Sequence, residues 1–411
     1  MIRRPRYLAE IERVLAHNPV CALLGPRQCG KTTLAREIVR RRKDAHVFDL
    51  ETAAGRARLA QPELTLAPLR GLVVIDEIQR EPRLFEILRP LADRPRRPAR
   101  FLILGSASPD FVRGASESLA GRVGFVDLGG FDLTEVGTRQ MRRLWVRGGF
   151  PRSYLARSEA LSFRWRHDFA RTFLERDVPQ LGVRIPGDAL RRFWMMLAHH
   201  HGQIWNGAEL ARSLGVNEHT VRRYLDILSG TYLVRQLPPW FENISKRQYK
   251  APKVYLRDSG LLHALLGIGA WEELAAHPKL GASWEGFALE QVLALAHGAD
   301  VFFWGTHAGA ELDLLLMHRG GRCGIEFRYG DAPTMTKSLH VALADLKLDR
   351  AWIVYPGRER YAVHEKVEVL PLQEAPDHLA FLGGPGRAVR RPRHGWPRQR
   401  AARSSDRPRS R

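Results

Sequence analysis

Residues 25–33, Gly25-Pro-Arg-Gln-Cys-Gly-Lys-Thr-Thr33, satisfy G-x-x-x-x-G-K-[ST] at every fixed position. An apolar run, Val20–Leu24, precedes them, and a helical pattern begins at Leu34. Each residue type has a reason to be there. Glycine at 25 and 30 lets the backbone aim N–H groups at phosphate oxygens, at a helix N-terminus whose partial positive charge favours anions. Lys31 is placed to reach the β- and γ-phosphates, and the Thr32 hydroxyl to ligate Mg²⁺. The expected cradle is Gly25, Pro26, Arg27, Gln28, Cys29, Gly30, Lys31, Thr32 and Thr33, with Cys29 a passive spacer.

A second motif lies downstream. Leu72-Val-Val-Ile-Asp76-Glu77 is an apolar run ending in two acids. Such a run puts carboxylates at the carboxyl edge of a strand, where open α/β sheets bind ligands. Asp76 is the expected Mg²⁺ holder, through water, and Glu77 the expected base that orients and polarises the attacking water. An Asp-Glu pair favours hydrolysis over transfer to a substrate hydroxyl, and no Asn-Lys-x-Asp guanine-reading motif occurs, so ATP is the expected nucleotide. Ser106, ending the run Phe101–Gly105, is a candidate contact for the γ-phosphate or the water. Arg122, in Ser118-Leu-Ala-Gly-Arg122, is a candidate positive charge for the transition state, in cis or across a subunit contact.

The fold class follows from the pattern around these motifs. Short, mostly continuous apolar runs at Val20–Leu24, His46–Leu50, Leu72–Asp76, Phe101–Gly105 and Val123–Leu128 alternate with amphipathic stretches such as Thr33–Arg41 and Leu84–Leu91. That is the signature of an α/β domain with a parallel sheet, assigned to residues 1–140. A helical linker or lid richer in Trp and Arg is expected over 141–185. Over 186–250, Gly207–Gly215 and the periodic Val221, Tyr224, Leu225 and Leu228 predict a helix-turn-helix, winged if Tyr232–Leu237 is a strand. A smaller α/β domain is expected over 251–382, with a helix around Trp284–Leu293 and strands at Asp300–Trp304, Leu312–Met317, Arg322–Arg328 and Ala351–Val354.

Composition narrows the class. With 411 residues, 44% hydrophobic and 27% charged, the chain has the make-up of a multidomain soluble protein. No apolar run approaches the ~18 residues of a membrane span, and the basic N-terminus lacks an apolar stretch behind it. Three cysteines, Cys21, Cys29 and Cys323, show neither metal-ligand nor disulfide spacing, so a reduced, cytoplasmic protein is expected. The net charge is +21, of which a Pro-, Gly- and Ser-containing tail over 383–411 holds ten arginines against one acid. That tail is expected to be disordered, free in solvent or lying on a polyanion, and the remainder is still basic.

Several segments together resemble prokaryotic ATP-binding proteins of the AAA superfamily that carry a C-terminal domain of unknown function. They are Gly25–Thr33, Leu72–Arg80, Leu104–Ser108, Glu117–Arg122, Arg147-Gly-Gly-Phe-Pro151, Pro252-Lys-Val-Tyr-Leu-Arg-Asp-Ser-Gly-Leu261 and Glu311-Leu-Asp313, covering nearly everything from Tyr7 to about Leu382. The resemblance implies an AAA-type P-loop ATPase with a five-stranded parallel core. It also raises Ser106 and Arg122 to sensor and arginine-finger candidates.

Two modules leave the partner open. If Glu218–Ser229 is a recognition helix, Asn217, His219, Arg222 and Arg223 face outward and could meet DNA; the alternative is a packing or protein-contact module. Glu285, Asp313, Glu326 and Arg328 resemble a PD-(D/E)xK nuclease arrangement, in which carboxylates hold Mg²⁺. Arg328 stands where lysine is required, and arginine stays protonated, which points to an inactive or nucleic-acid-binding domain. The expected function is therefore an ATP hydrolase acting as a DNA-associated switch. The alternatives are a protein-interaction switch, as a homo-oligomer or with another protein, and an ATP-gated nuclease.

Overall fold

The computed structural model describes residues 2–95, 99–106, 109–180, 185–296 and 298–379. The arginine-rich tail over 383–411, and Ala107 and Ser108 of the Leu104–Ser108 motif, lie outside the described residues.

Five parallel strands open the fold: β1 (Val20–Gly25), β2 (Ala45–Asp49), β3 (Gly71–Asp76), β4 (Ala99–Ser106) and β5 (Val123–Asp127), in the spatial order β2-β3-β4-β1-β5. The central strands β3, β4 and β1 are apolar nearly throughout because both faces are covered, while the edge strands β2 and β5 are only partly buried. Val20, Ala22 and Leu24 of β1 pack with Leu84, Phe85 and Leu88 on one side. Cys21 and Leu23 pack with Leu8, Ile11, Leu34 and Ile38 on the other. The last two belong to the helix Lys31–Arg40, and Leu8 and Ile11 to the helix Pro5–His17. The α/β parallel-sheet expectation holds strand by strand.

Further helices follow, among them Glu159–Thr172, which runs into a π-helical stretch at Phe173–Asp177. The helices Gly187–His199, Gly207–Leu214 and Glu218–Gly230 then pack with a three-stranded antiparallel sheet, β6 (Gln203–Ile204), β7 (Val234–Leu237) and β8 (Lys253–Leu256), ordered β6-β8-β7. Asn206 and Asn217 cap two of these helices by accepting from Glu209 N and Thr220 N. Gly215, at φ +70°, makes the turn between them, a conformation that suits glycine. Lys253–Leu256 corrects an expected boundary. Placed by sequence at the start of the last domain, it instead completes the second sheet.

The last sheet has six strands, β9 (Asp300–Gly305), β10 (Glu311–His318), β11 (Gly321–Phe327), β12 (Arg350–Tyr355), β13 (Tyr361–His364) and β14 (Val367–Pro371), ordered β13-β14-β12-β11-β10-β9. The helix Leu280–Leu293 covers one face through Trp284, Phe287 and Leu289. The helix Lys337–Asp345 covers the other through Leu339 and Ala342. The segment between β7 and β8 is laid along the edge of β9: Phe303 N donates to Pro238 O, and Trp240 N to Phe303 O. That contact protects an open sheet edge.

His263 sits fully buried where the helices Met141–Arg147, Ser259–Leu265 and Leu280–Leu293 meet. Its Nδ1 lies 3.0 Å from Val146 O, and its Nε2 2.7 Å from Ser283 Oγ, which itself accepts from Trp145 Nε1 at 2.9 Å. A neutral ring satisfies this set, with Nδ1–H donating and Nε2 accepting the serine proton. Burial holds its pKa down at about 3, and charged Arg166 also lowers it. The folded pKa is thus below the unfolded ~6.5, so the stabilisation is present above pH 6.5 and lost as pH falls toward 3. Between pH 6.5 and 5.5 the wild type should lose about 1 kcal/mol more unfolding free energy than His263→Gln. Urea titrations of both proteins at several pH values measure this, and parallel pH profiles would refute a neutral buried imidazole.

Candidate nucleotide site

The cradle begins where β1 stops. Gly25 is fixed by crowding, because a Cβ there would meet Leu128 O at 2.1 Å and Cys29 Sγ at 3.0 Å. Gly30 adopts φ +104° and opens the helix Lys31–Arg40. Cys29 is wholly buried among Leu34, Leu104 and Leu128, so its side chain anchors the loop from beneath.

Lys31 is 6% exposed and folds back over its own loop, donating to Gly25 O and Pro26 O, each at 2.9 Å. Thr32 Oγ1 donates to Asp76 Oδ2 at 2.7 Å, so the end of β3 meets the start of the helix. Burial pushes the Asp76 carboxyl above its usual range, opposed by the Thr32 hydrogen bond and by Lys31. Glu77 follows at φ +56°, a left-handed conformation that is unusual outside glycine. Its carboxylate accepts from Gln79 Nε2, and burial raises its pKa too. Glu77 thus sits beside the Asp76–Thr32 contact, with a local residue orienting it.

Two more contacts hold the loop from outside. Arg4, buried, donates to Cys29 O at 3.2 Å, Gly129 O at 3.1 Å and Gly130 O at 2.7 Å, and forms a bidentate pair with Glu135. Arg27 pairs with Asp177 of the π-helical stretch and lies 3.5 Å from Glu51, which Arg176 also approaches at 3.3 Å. The structure therefore joins the cradle to a helical segment more than a hundred residues downstream.

Ser106 ends β4 opposite Gly25 in the sheet register, at the same edge as the cradle. Arg122 does not share that edge. Its carbonyl accepts from Val20 N at the start of β1, and its guanidinium forms a bidentate pair with Asp93, both bonds 2.7 Å. Five residues of strand, about 17 Å, separate that level from Gly25, so the proposed contact in cis is overturned.

Sequence comparison places this geometry. Residues 17–137 match an AAA domain, 138–272 a domain of unknown function (DUF8612), and 280–375 another (DUF4143). "Uncharacterized protein Rv2008c" of Mycobacterium tuberculosis (strain H37Rv) is 52% identical over 374 residues, 91% of this chain and 85% of that protein. "Uncharacterized protein Mb2031c" of Mycobacterium bovis gives the same figures. The chain belongs to their family. Its first domain is an AAA-type P-loop domain, and ATP is the ligand this fold binds. Among solved structures it overlaps the Walker-type ATPase paby2304 of Pyrococcus abyssi, at 14% identity and TM-score 0.48, over 65% of this chain and 96% of that one. It overlaps Thermotoga maritima RuvB R170A at 19% identity and TM-score 0.27, over 58% and 90%. Both overlaps are too loose to bear on mechanism. No helix among the described residues is long and apolar enough to cross a membrane.

Beyond the AAA domain, Asn217 is engaged as a helix cap, while His219, Arg222 and Arg223 are exposed, Arg222 lying 3.3 Å from Asp226. Glu285, on the helix Leu280–Leu293, and Asp313, on β10, share Lys253 as a partner, and Glu326 lies on the neighbouring β11. Arg328 pairs with Glu326, and Lys253, expected at the start of the last domain, enters beside Glu285 and Asp313 from β8. Gln79, Asp177 and Lys253 are the contributors that sequence reasoning missed. Gln79 and Lys253 lie within quoted motifs, but only the fold shows what they touch.

Lys31→Ala should weaken ATP binding by roughly 10- to 100-fold, the loss of a charged hydrogen-bond donor from a buried cradle. Arg122→Ala should leave the affinity unchanged, and fluorescent-nucleotide titration of both variants tests the edge assignment.

Proposed function

We propose that the chain hydrolyses ATP with Mg²⁺ and uses the nucleotide cycle as a switch. The observation carrying this is the Thr32 hydroxyl held 2.7 Å from the Asp76 carboxylate at the mouth of the phosphate cradle, with Glu77 next in sequence. A hydroxyl and a carboxylate brought together at a P-loop suit Mg²⁺, and Lys31 is held beside them as a fixed ammonium. The ion, when bound, neutralises charge on the phosphates. Thr32 and Asp76 would hold it, Lys31 would exchange its two carbonyl partners for phosphate oxygens, and Glu77, oriented by Gln79, would accept the proton of the attacking water. Ser106, at the level of Gly25, is proposed as a contact for the water or the terminal phosphate. Arg122 would act only across a contact between two copies.

The switch itself is placed at Arg27. A triphosphate in the cradle competes with Asp177 for this guanidinium, so loading the site would loosen the tie to the π-helical stretch. Downstream, the helices Gly207–Leu214 and Glu218–Gly230 with β7 and β8 suit a winged helix-turn-helix. The overall charge of +21 favours a DNA-associated role for it. A protein partner is the alternative, supported by the wing segment being laid on β9 and by the mixed charge of the outward helix face.

Glu77→Gln should keep ATP affinity and slow hydrolysis by about 10²–10⁴-fold. Wild-type turnover in that variant would remove Glu77 as the base. Duplex DNA should raise steady-state ATPase with a salt-sensitive half-maximum, and no response to any duplex would leave the protein-partner switch.

A further inference from the structure

The acids of the terminal domain converge around a cation that the chain itself supplies. Lys253 reaches them from β8, a strand of the preceding unit's sheet. Its side chain is 3% exposed, with Nζ 3.1 Å from Glu285 Oε1, 3.2 Å from Asp313 Oδ1, and paired with Glu311. An ammonium has three N–H donors, and here it meets three carboxylates, a match that a planar guanidinium would not make.

The carboxylates are engaged further by groups of the chain itself. Glu285 Oε1, the atom facing Lys253, also accepts from Tyr255 OH at 2.6 Å, and Asp313 Oδ2 accepts from Phe327 N at 2.9 Å. Glu326 is turned to Arg328 and to Thr336 Oγ1, 3.1 Å away. Among the described residues, no group of three or more His, Cys, Asp and Glu side chains is arranged to hold a metal ion. A register irregularity between Leu312 and Leu315 falls at Asp313, and bulges commonly re-aim a side chain. A second contact lies further along the helix, where Arg235 of β7 and Arg257, just after β8, both pair with Glu290.

We propose that Lys253 is the resident cation of this cluster. Its ammonium stands where metal-dependent phosphodiester cleavage would need the metal, and Glu285, Glu311 and Asp313 serve as a metal-independent joint between the second and third units. The geometry that resembles a nuclease is thereby put to structural use. The neighbouring carboxylates outweigh burial and hold Lys253 charged, its pKa well above the usual value, so it is not a lysine poised to take a proton.

The test uses the full-length, nucleotide-free protein and Mn²⁺ as the probe, so it does not depend on the ATPase assignment. Mn²⁺ binding is read from loss of the free-ion EPR signal. Wild type and Asp313→Asn should bind Mn²⁺ identically, with no site assigned to the cluster. Lys253→Met, which keeps the stem and removes the charge, should gain one Mn²⁺ per chain and lose it again when combined with Asp313→Asn. Lys253→Met should also melt roughly 5–10 °C lower, with part of that shift recovered on adding Mn²⁺. A wild-type Mn²⁺ site that Asp313→Asn abolishes would overturn the proposal. So would Mn²⁺-dependent nicking of supercoiled plasmid that Asp313→Asn abolishes, or a folded Lys253→Met that gains no site. If Lys253→Met does not fold, the comparison of wild type with Asp313→Asn decides alone.

Discussion

The AAA domain depends on one buried guanidinium. Arg4 lies just ahead of the first helix and satisfies three backbone carbonyls, one in the phosphate loop and two after β5, while pairing twice with Glu135. Glu135 in turn closes a capping box on Asp132. A buried ion pair of this kind adds little over a well-packed apolar core, but removing one partner strands the other at a cost of about 3–5 kcal/mol. Its value here is geometric. The loop cannot shift relative to β5 without uncovering a charge, so the cradle is pre-organised before any phosphate arrives.

The sheet of the first domain was legible because its central strands are buried on both faces and so apolar nearly throughout, and each of the five runs maps onto one strand. The cradle was legible because its chemistry depends on fixed spacing along the chain. Arg122 shows the limit of that logic. It lies close in sequence to residues at the site, yet the start of a strand and the end of its neighbour are on opposite edges of a sheet. Nothing in the linear order reports that. In the last domain, β13 and β14 escaped notice because both are short, and Pro371 breaks the second. Lys253 escaped for a different reason. Its partners lie 32 and 60 residues away, and in a Pro- and Lys-rich stretch a lysine has the look of a solvated linker charge.

Charge is used differently in the two halves of the molecule. Around the cradle, Arg27, Arg80 and Arg176 gather about Glu51 with partly exposed side chains, so each pair is weak and replaceable. Around Lys253 the side chain is almost wholly enclosed. Exposed pairs can exchange one partner for another at little cost, whereas an enclosed cluster must stay whole. The region next to the nucleotide is thus the compliant one, and the distal pair of units is stiff.

The course of the chain between β7 and β8 has a consequence for how this protein is divided. After β7 it leaves the second sheet, runs along β9 of the third, and returns to supply β8. The seam between the two units therefore crosses the chain twice within some twenty residues. No single cut in the polypeptide releases either unit intact: severing before Lys253 removes a strand from one sheet and the counter-charge from the other. The two units are built as a pair.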